Sequence, residues 1–178
     1  MKRKMLGVLA GALFAVTAHA DNMKPGLWEA STQLLEDSAM REMKAKMSPA
    51  QRKQMEDIMA MQNIKIVGDR IVSMVCITPE IAKNAAQEML KSATDAADQD
   101  GDCTIKPSPR AGNKVATSFT CTSQPPMSGK FEITFQSDTA YSTQLQAVQD
   151  GREMNSQGSG RWVSKDCGNV KPPEPSGR

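Results

Sequence analysis

The sequence predicts an α+β domain: a curved antiparallel β-sheet or open barrel, with a Met-rich helical insertion after the first strand and a further helix after Cys76. Three observations carry this reading. From Cys103 onward, apolar residues recur at every second position in short runs separated by Pro, Gly, Asn and Asp turns, as successive antiparallel strands require. Over residues 36–62 and again over 78–96 the apolar period lengthens to helical spacing. The four cysteines, Cys76, Cys103, Cys121 and Cys167, are even in number and none forms a C-x-x-C pair, which fits two structural disulfides.

The first strand runs from Lys24 to Leu35. Trp28, Ala30, Thr32 and Leu34 share one face, and Glu29, Ser31 and Gln33 the other. Leu35, Met40, Met43 and Met47 then follow helical spacing, as do Met55, Ile58 and Met59. Ser48-Pro49-Ala50-Gln51 supplies an N-cap, a proline at the first helical position and a capping-box glutamine, so two amphipathic helices meet near Ser48. A short strand from Asn63 to Ile66 and a Gly68-Asp69 turn lead to a strand over Arg70 to Ile77, apolar on both faces and therefore expected centrally in the sheet. Thr78 caps a third helix, with Pro79 at its first position, running to about Ala96.

Cys103 and Ile105 share a face, and Val115, Thr117, Phe119 and Cys121 alternate back after a turn. Gly112 is equidistant in sequence from Cys103 and Cys121, so the two stand opposite each other in one hairpin. A Cys103–Cys121 disulfide is expected, with Cys76–Cys167 by elimination. Lys130 to Gln136 turns Phe131, Ile133 and Phe135 inward, and its partner turns Tyr141, Leu145 and Ala147 inward. Asp150-Gly151 leads to a last strand ending at Trp162-Val163. One face of that strand carries Met154, Ser156, Gly158, Gly160 and Trp162; so small a lining means a bulge, close packing or space for a ligand.

Domain organisation and compartment follow from the ends. Lys2, Arg3 and Lys4 precede an apolar stretch from Met5 to Val16 and an A-x-A site at Ala18-His19-Ala20, the pattern of a signal peptide cleaved after Ala20. The stretch is too short to span a bilayer, no transmembrane segment follows it, and no Cys stands after the cleavage point to take a lipid. Residues 21–167 are expected to form one domain, with 168–178 a disordered Pro-rich tail. The expected compartment is the periplasm. Cleavage removes three of the 22 basic residues and none of the 20 acidic ones, moving the formal charge from +2 to −1. No nucleic-acid partner is expected from that balance.

Cleavage also removes His19, the one histidine of the chain, which excludes Ser-His-Asp and Cys-His catalysis and histidine metal sites in the mature protein. No serine has a lysine three positions on. Glu29 and Glu132 lie on polar strand faces and read as solvated charge. Aspartates 95, 98, 100 and 102 surround Gly101, but the calcium-loop register puts Pro107 where a bidentate Glu belongs. No catalytic residue, resident metal or cofactor is expected, and the protein is read as a non-enzyme.

Four landmarks also point to a family. Lys24-Pro25-Gly26-Leu27-Trp28-Glu29, Val75-Cys76-Ile77-Thr78-Pro79-Glu80, Asp102-Cys103-Thr104 and Asp166-Cys167-Gly168, in this order, resemble a family of small exported proteobacterial proteins catalogued as a domain of unknown function. The resemblance covers the mature chain and implies a periplasmic location; it brings no catalytic residues.

The functional expectation is therefore a binding domain for an apolar or amphipathic small molecule, or for an envelope protein, in the concavity between sheet and Met-rich helices. Trp28, Met55, Met59, Phe131, Phe135 and Trp162 are the candidate ligand-binding residues. If the sheet closes, its first and last strands become neighbours and the two indoles meet at a pocket mouth. Two rivals remain. Six methionines between Met40 and Met61 offer thioethers for Cu(I), although a methionine stripe ordinarily covers a sheet or a variable apolar ligand. The other rival is an interaction or inhibitor module reading its partner through the helices.

Overall fold

The computed structural model describes residues 23–33, 45–98, 102–122 and 124–173. The expected leader, Leu34, Leu35, Met40 and Met43 lie outside them. Eight strands form one open antiparallel sheet: β1 (Gly26–Gln33), β2 (Ile64–Val67), β3 (Arg70–Ile77), β4 (Cys103–Pro107), β5 (Lys114–Cys121), β6 (Met127–Ser137), β7 (Ala140–Gln149) and β8 (Arg152–Ser164). Their order across the sheet is β2-β3-β1-β8-β7-β6-β5-β4. The helices are α1 (Pro49–Met61), α2 (Pro79–Lys83) and α3 (Ala85–Ala97).

The sheet does not close, yet its first and last strands are neighbours. Strand β1 is inserted between the β2–β3 hairpin and the meander β4 to β8, pairing with β3 on one side and β8 on the other. Trp28 thereby faces Val75 on β3 and Trp162 on β8. Gly26 opens β1 with φ +130°, beside the Ser164 carbonyl, where a side chain would collide with backbone.

Local signals in the sequence are realised at the helix ends. Ser48 Oγ accepts from the Gln51 N–H at 3.2 Å, and the Ser48 N–H donates to Gln51 Oε1 at 2.8 Å, closing the capping box of α1. Thr78 Oγ1 accepts from the Ile81 N–H at 3.2 Å at the start of α2. The single helix expected from Thr78 to Ala96 is instead two pieces. Asn84 leaves helical geometry (φ −117°, ψ 24°), and its N–H bonds the Ile81 carbonyl. Ala82 and Ala85, on either side of the break, are both buried against the sheet.

The core lies on the face that α2 and α3 cover. One cluster joins Met23, Trp28, Val115, Ile133 and Phe135 to Ala82 and Ala85. A second joins Phe119, Cys121 and Ala147 to Ile105, Met127, Leu145 and Met154. Thr117 lies between Val115 and Phe119 on β5; it is buried, and its Oγ1 has no hydrogen-bond partner among the described residues.

Disulfides join Cys76 to Cys167, 91 residues apart in sequence, and Cys103 to Cys121, 18 apart and directly opposed on β4 and β5. Two such bonds point to an oxidising, extracytoplasmic environment. No helix among the described residues is long and apolar enough to cross a membrane. Beyond Asp166, the Val170 N–H bonds the Cys167 carbonyl and the Gly168 N–H bonds Asp166 Oδ1, while residues 174–178 of the expected tail lie outside the described residues.

Two stability predictions follow from these contacts. Replacing both partners by Ser should cost about 4.5 kcal/mol for Cys76–Cys167 and about 3 kcal/mol for Cys103–Cys121 in the chain-entropy picture. Urea denaturation of the two double variants checks the order, and the reverse ranking would refute loop length as the determinant. Thr117→Val removes an unpaired buried hydroxyl at nearly constant volume and should raise stability by about 1 kcal/mol; a loss in the same assay would show that the hydroxyl has a partner.

Candidate functional site

Between α2–α3 and the sheet lies a cavity of about 970 Å³, at the upper end of the range for small-molecule sites. Its sheet wall is Trp28 on β1, Val75 and Ile77 on β3, Phe131 on β6 and Tyr141 on β7. The helical wall presents Ile81, Ala85, Met89 and Ala93. The last three of these are spaced four apart on α3, so one stripe of that helix faces the sheet. Met23 closes one end, held by its N–H to the Ala82 carbonyl at 3.3 Å, and Pro172 and Pro173 of the tail close another side.

The charged groups of the lining sit on the helices. Glu80 and Glu88 occupy the first turns of α2 and α3, where they complement each helix dipole, and Asn84 and Ser92 lie with them. A smaller space of about 210 Å³ shares Met89, Phe131 and Tyr141 with the main cavity and continues along Ala30, Thr32, Thr143, Leu145 and Ser156.

Tyr141 links the two spaces. Its ring stands 5.7 Å from that of Trp28, and a Cβ on Gly160 would overlap it. The small residues of β8 therefore serve close packing: Gly160 makes room for Tyr141, and Gly158 for Thr143. Burial raises the phenol of Tyr141 above its usual value of 10.0.

Of the candidate residues, Trp28 and Phe131 line the cavity. Phe135 is packed into the cluster behind it, 3% exposed, and is not part of the lining. The two indoles do lie on paired strands, but each is fixed from the N-terminal side. Trp28 Nε1 donates to the Lys24 carbonyl at 2.8 Å, and Trp162 Nε1 to the Pro25 carbonyl at 3.2 Å. Lys24 Nζ stands 5.7 Å from the centre of the Trp162 ring, which packs against the core outside the lining.

Met55 and Met59 are on α1, which has no buried residue and packs against β2 rather than over the cavity. Among the described residues the helices that line the cavity are α2 and α3; the first of the two expected Met-rich helices falls largely on residues 36–44, outside the described residues. The sequence signal for this lining is the Ala85, Met89, Ala93 stripe, four residues apart on α3.

Other groupings have structural explanations. Asp102, Cys103 and Cys121 lie together because the two sulfurs are bonded to each other, so this trio offers no thiolate ligand. Glu29 accepts from Arg161 Nε at 3.0 Å. Glu132 is bonded by Lys114 and Lys130, which hold its carboxyl below its usual value.

Residues 23–167 match the family described as protein of unknown function (DUF3617). The chain belongs to this family. A Pseudomonas putida protein described as an uncharacterized protein in the lpd-3 5' region is 30% identical over 144 residues, covering 76% of this chain and 93% of the relative. No solved structure matches the chain. No enzyme family is indicated, and residues 23–167 of this chain, which match the DUF3617 family, include the sheet, the helices and all four cysteines.

Because Tyr141 is the one tyrosine of the chain, its ionisation can be read alone by ultraviolet titration. The native midpoint should lie above 10.0 and return to that value in urea. The sign follows directly: a phenol whose folded pKa is raised favours folding below the unfolded value, and that contribution is lost as pH rises through 10.0 toward the folded pKa. A native midpoint at the ordinary value would mean that the phenol is solvated.

Proposed function

We propose that this protein is an exported, non-enzymatic binding domain of the periplasm, delivered by a leader over residues 1–20, that takes an apolar or amphipathic small molecule into the cavity beneath α2 and α3. The carrying observation is the cavity itself: about 970 Å³ of space walled by Trp28, Ile77, Met89, Phe131 and Tyr141. A folded domain of this size ordinarily fills such a space with its own side chains. Here α3 presents Ala85 and Ala93 instead, and the sheet opposite is built from large rings. Apolar walls with a polar rim suit a ligand that is mostly hydrocarbon and carries its polar group at one end.

The reading is tested with the mature chain and the environment-sensitive probe N-phenyl-1-naphthylamine. Saturable binding with a blue-shifted emission is expected. Ala93→Trp, which fills the helical wall from a half-exposed position, should weaken binding by about tenfold with an unchanged far-ultraviolet spectrum. If Ala93→Trp folds normally and binds the probe as the parent does, the ligand does not lie in this cavity.

A further inference from the structure

We infer that the cavity selects amphiphiles with a cationic head over those with a carboxylate or phosphate head. The inference rests on the binding reading above and adds the chemistry of the ligand's polar end. Its basis is the distribution of charge around one opening. The hydrocarbon part of the lining is deep: Trp28 and Ala85 are each 1% exposed. The charged part is shallow, and among the described residues it consists of Glu80 and Glu88, both exposed at the helical rim. The other polar lining residues of these helices, Asn84 and Ser92, are neutral.

No lysine or arginine is among the described residues that line the cavity. Lys83 and Lys91 belong to the same two helices but are not part of the lining. Neither Glu80 nor Glu88 has an ion-pair partner among the described residues.

An amphiphile lying along the apolar walls brings its head to this rim. An ammonium there is attracted by two carboxylates, and a carboxylate or phosphate is repelled by them. One pair at about 4 Å in water contributes roughly a fivefold change in affinity. The effect is confined to the rim and is screened by salt, whereas hydrocarbon burial is not. Selectivity for the head and affinity for the tail are therefore separable in an experiment.

Three probes of equal chain length, decyltrimethylammonium, decan-1-ol and decanoate, would be titrated against the mature protein at neutral pH and low ionic strength by calorimetry. Decyltrimethylammonium is expected to bind about fivefold more tightly than decanol, and decanoate more weakly by a similar factor. Added salt should narrow both gaps. Glu80→Gln combined with Glu88→Gln should bring the three affinities within about twofold of one another, and Glu80→Lys combined with Glu88→Lys should reverse their order. Decanoate binding as tightly as decyltrimethylammonium, or an order indifferent to these substitutions, overturns the charge inference and leaves the pocket reading intact where decanol binds. Failure of all three probes to bind overturns both.

Discussion

Strand β1 needs partners from both ends of the chain, and most of the covered face depends on that requirement being met. One side of β1 pairs with β3, the other with β8, where Arg161 bonds Glu29 from 132 residues away. Trp28, 1% exposed, sits at this junction. Its indole is anchored by the Lys24 carbonyl, and Lys24 is itself held by its N–H to the Asp138 carbonyl at 2.8 Å. The residues before β1 are thus tied to the β6–β7 turn, and Met23 to α2. Pairings this distant in sequence bring their contact energy only after loop-closure entropy has been met. Within the sheet the two hairpin systems are joined through β1, which makes them one sheet.

The position of the cavity follows from side-chain sizes along adjacent strands. Toward β5 and β6, Val115, Ile133, Phe135 and Phe119 fill the space under the helices. Toward β8 the inward residues shrink to Ser156, Gly158 and Gly160, and Tyr141 and Thr143 lean across from β7 into the room that Gly160 and Gly158 leave. On α3, Ala85 and Ala93 hold the helix near the sheet at their own positions without filling the ground between. The unfilled space lies between α3 and the strands β1, β3, β6 and β7, with Met89, Phe131 and Tyr141 on its walls.

Much of this fold was legible because its determinants are local. The capping box at Ser48, the Thr78-Pro79 start of α2, the turn at Asp150-Gly151 and the hairpin centred on Gly112 are each set by a few adjacent residues, and all four are present in the structure. What was not legible is which helix covers the sheet. Methionine composition suggested α1, whose residues repeat with helical spacing, but helical spacing only says that a face exists, not what it meets. The decision lies in the connection: Thr78 follows Ile77 directly, so α2 leaves β3 straight across the sheet face and carries α3 with it. Trp28 and Trp162 were expected as neighbours only by closure of a barrel. They became neighbours by insertion of β1, a non-local event that no strand pattern encodes.

The two disulfides act at different levels of this architecture. Cys103–Cys121 spans two strands that are already hydrogen-bonded partners, so it reinforces what the β4–β5 register specifies. Cys76–Cys167 joins segments that are not paired in the sheet. On one side of that bond lie Val75, Ile77 and Thr78, and a few residues beyond the other lie Pro172 and Pro173, all lining the cavity. The bond therefore ties the tail to the strand that launches α2, so that one edge of the cavity is set covalently. The prolines add stiffness in the same place, since each fixes its own φ. A wall ordered before a ligand arrives spares the entropy of ordering it on binding. In an oxidising compartment the bond that stabilises the fold over the longer loop also borders the cavity.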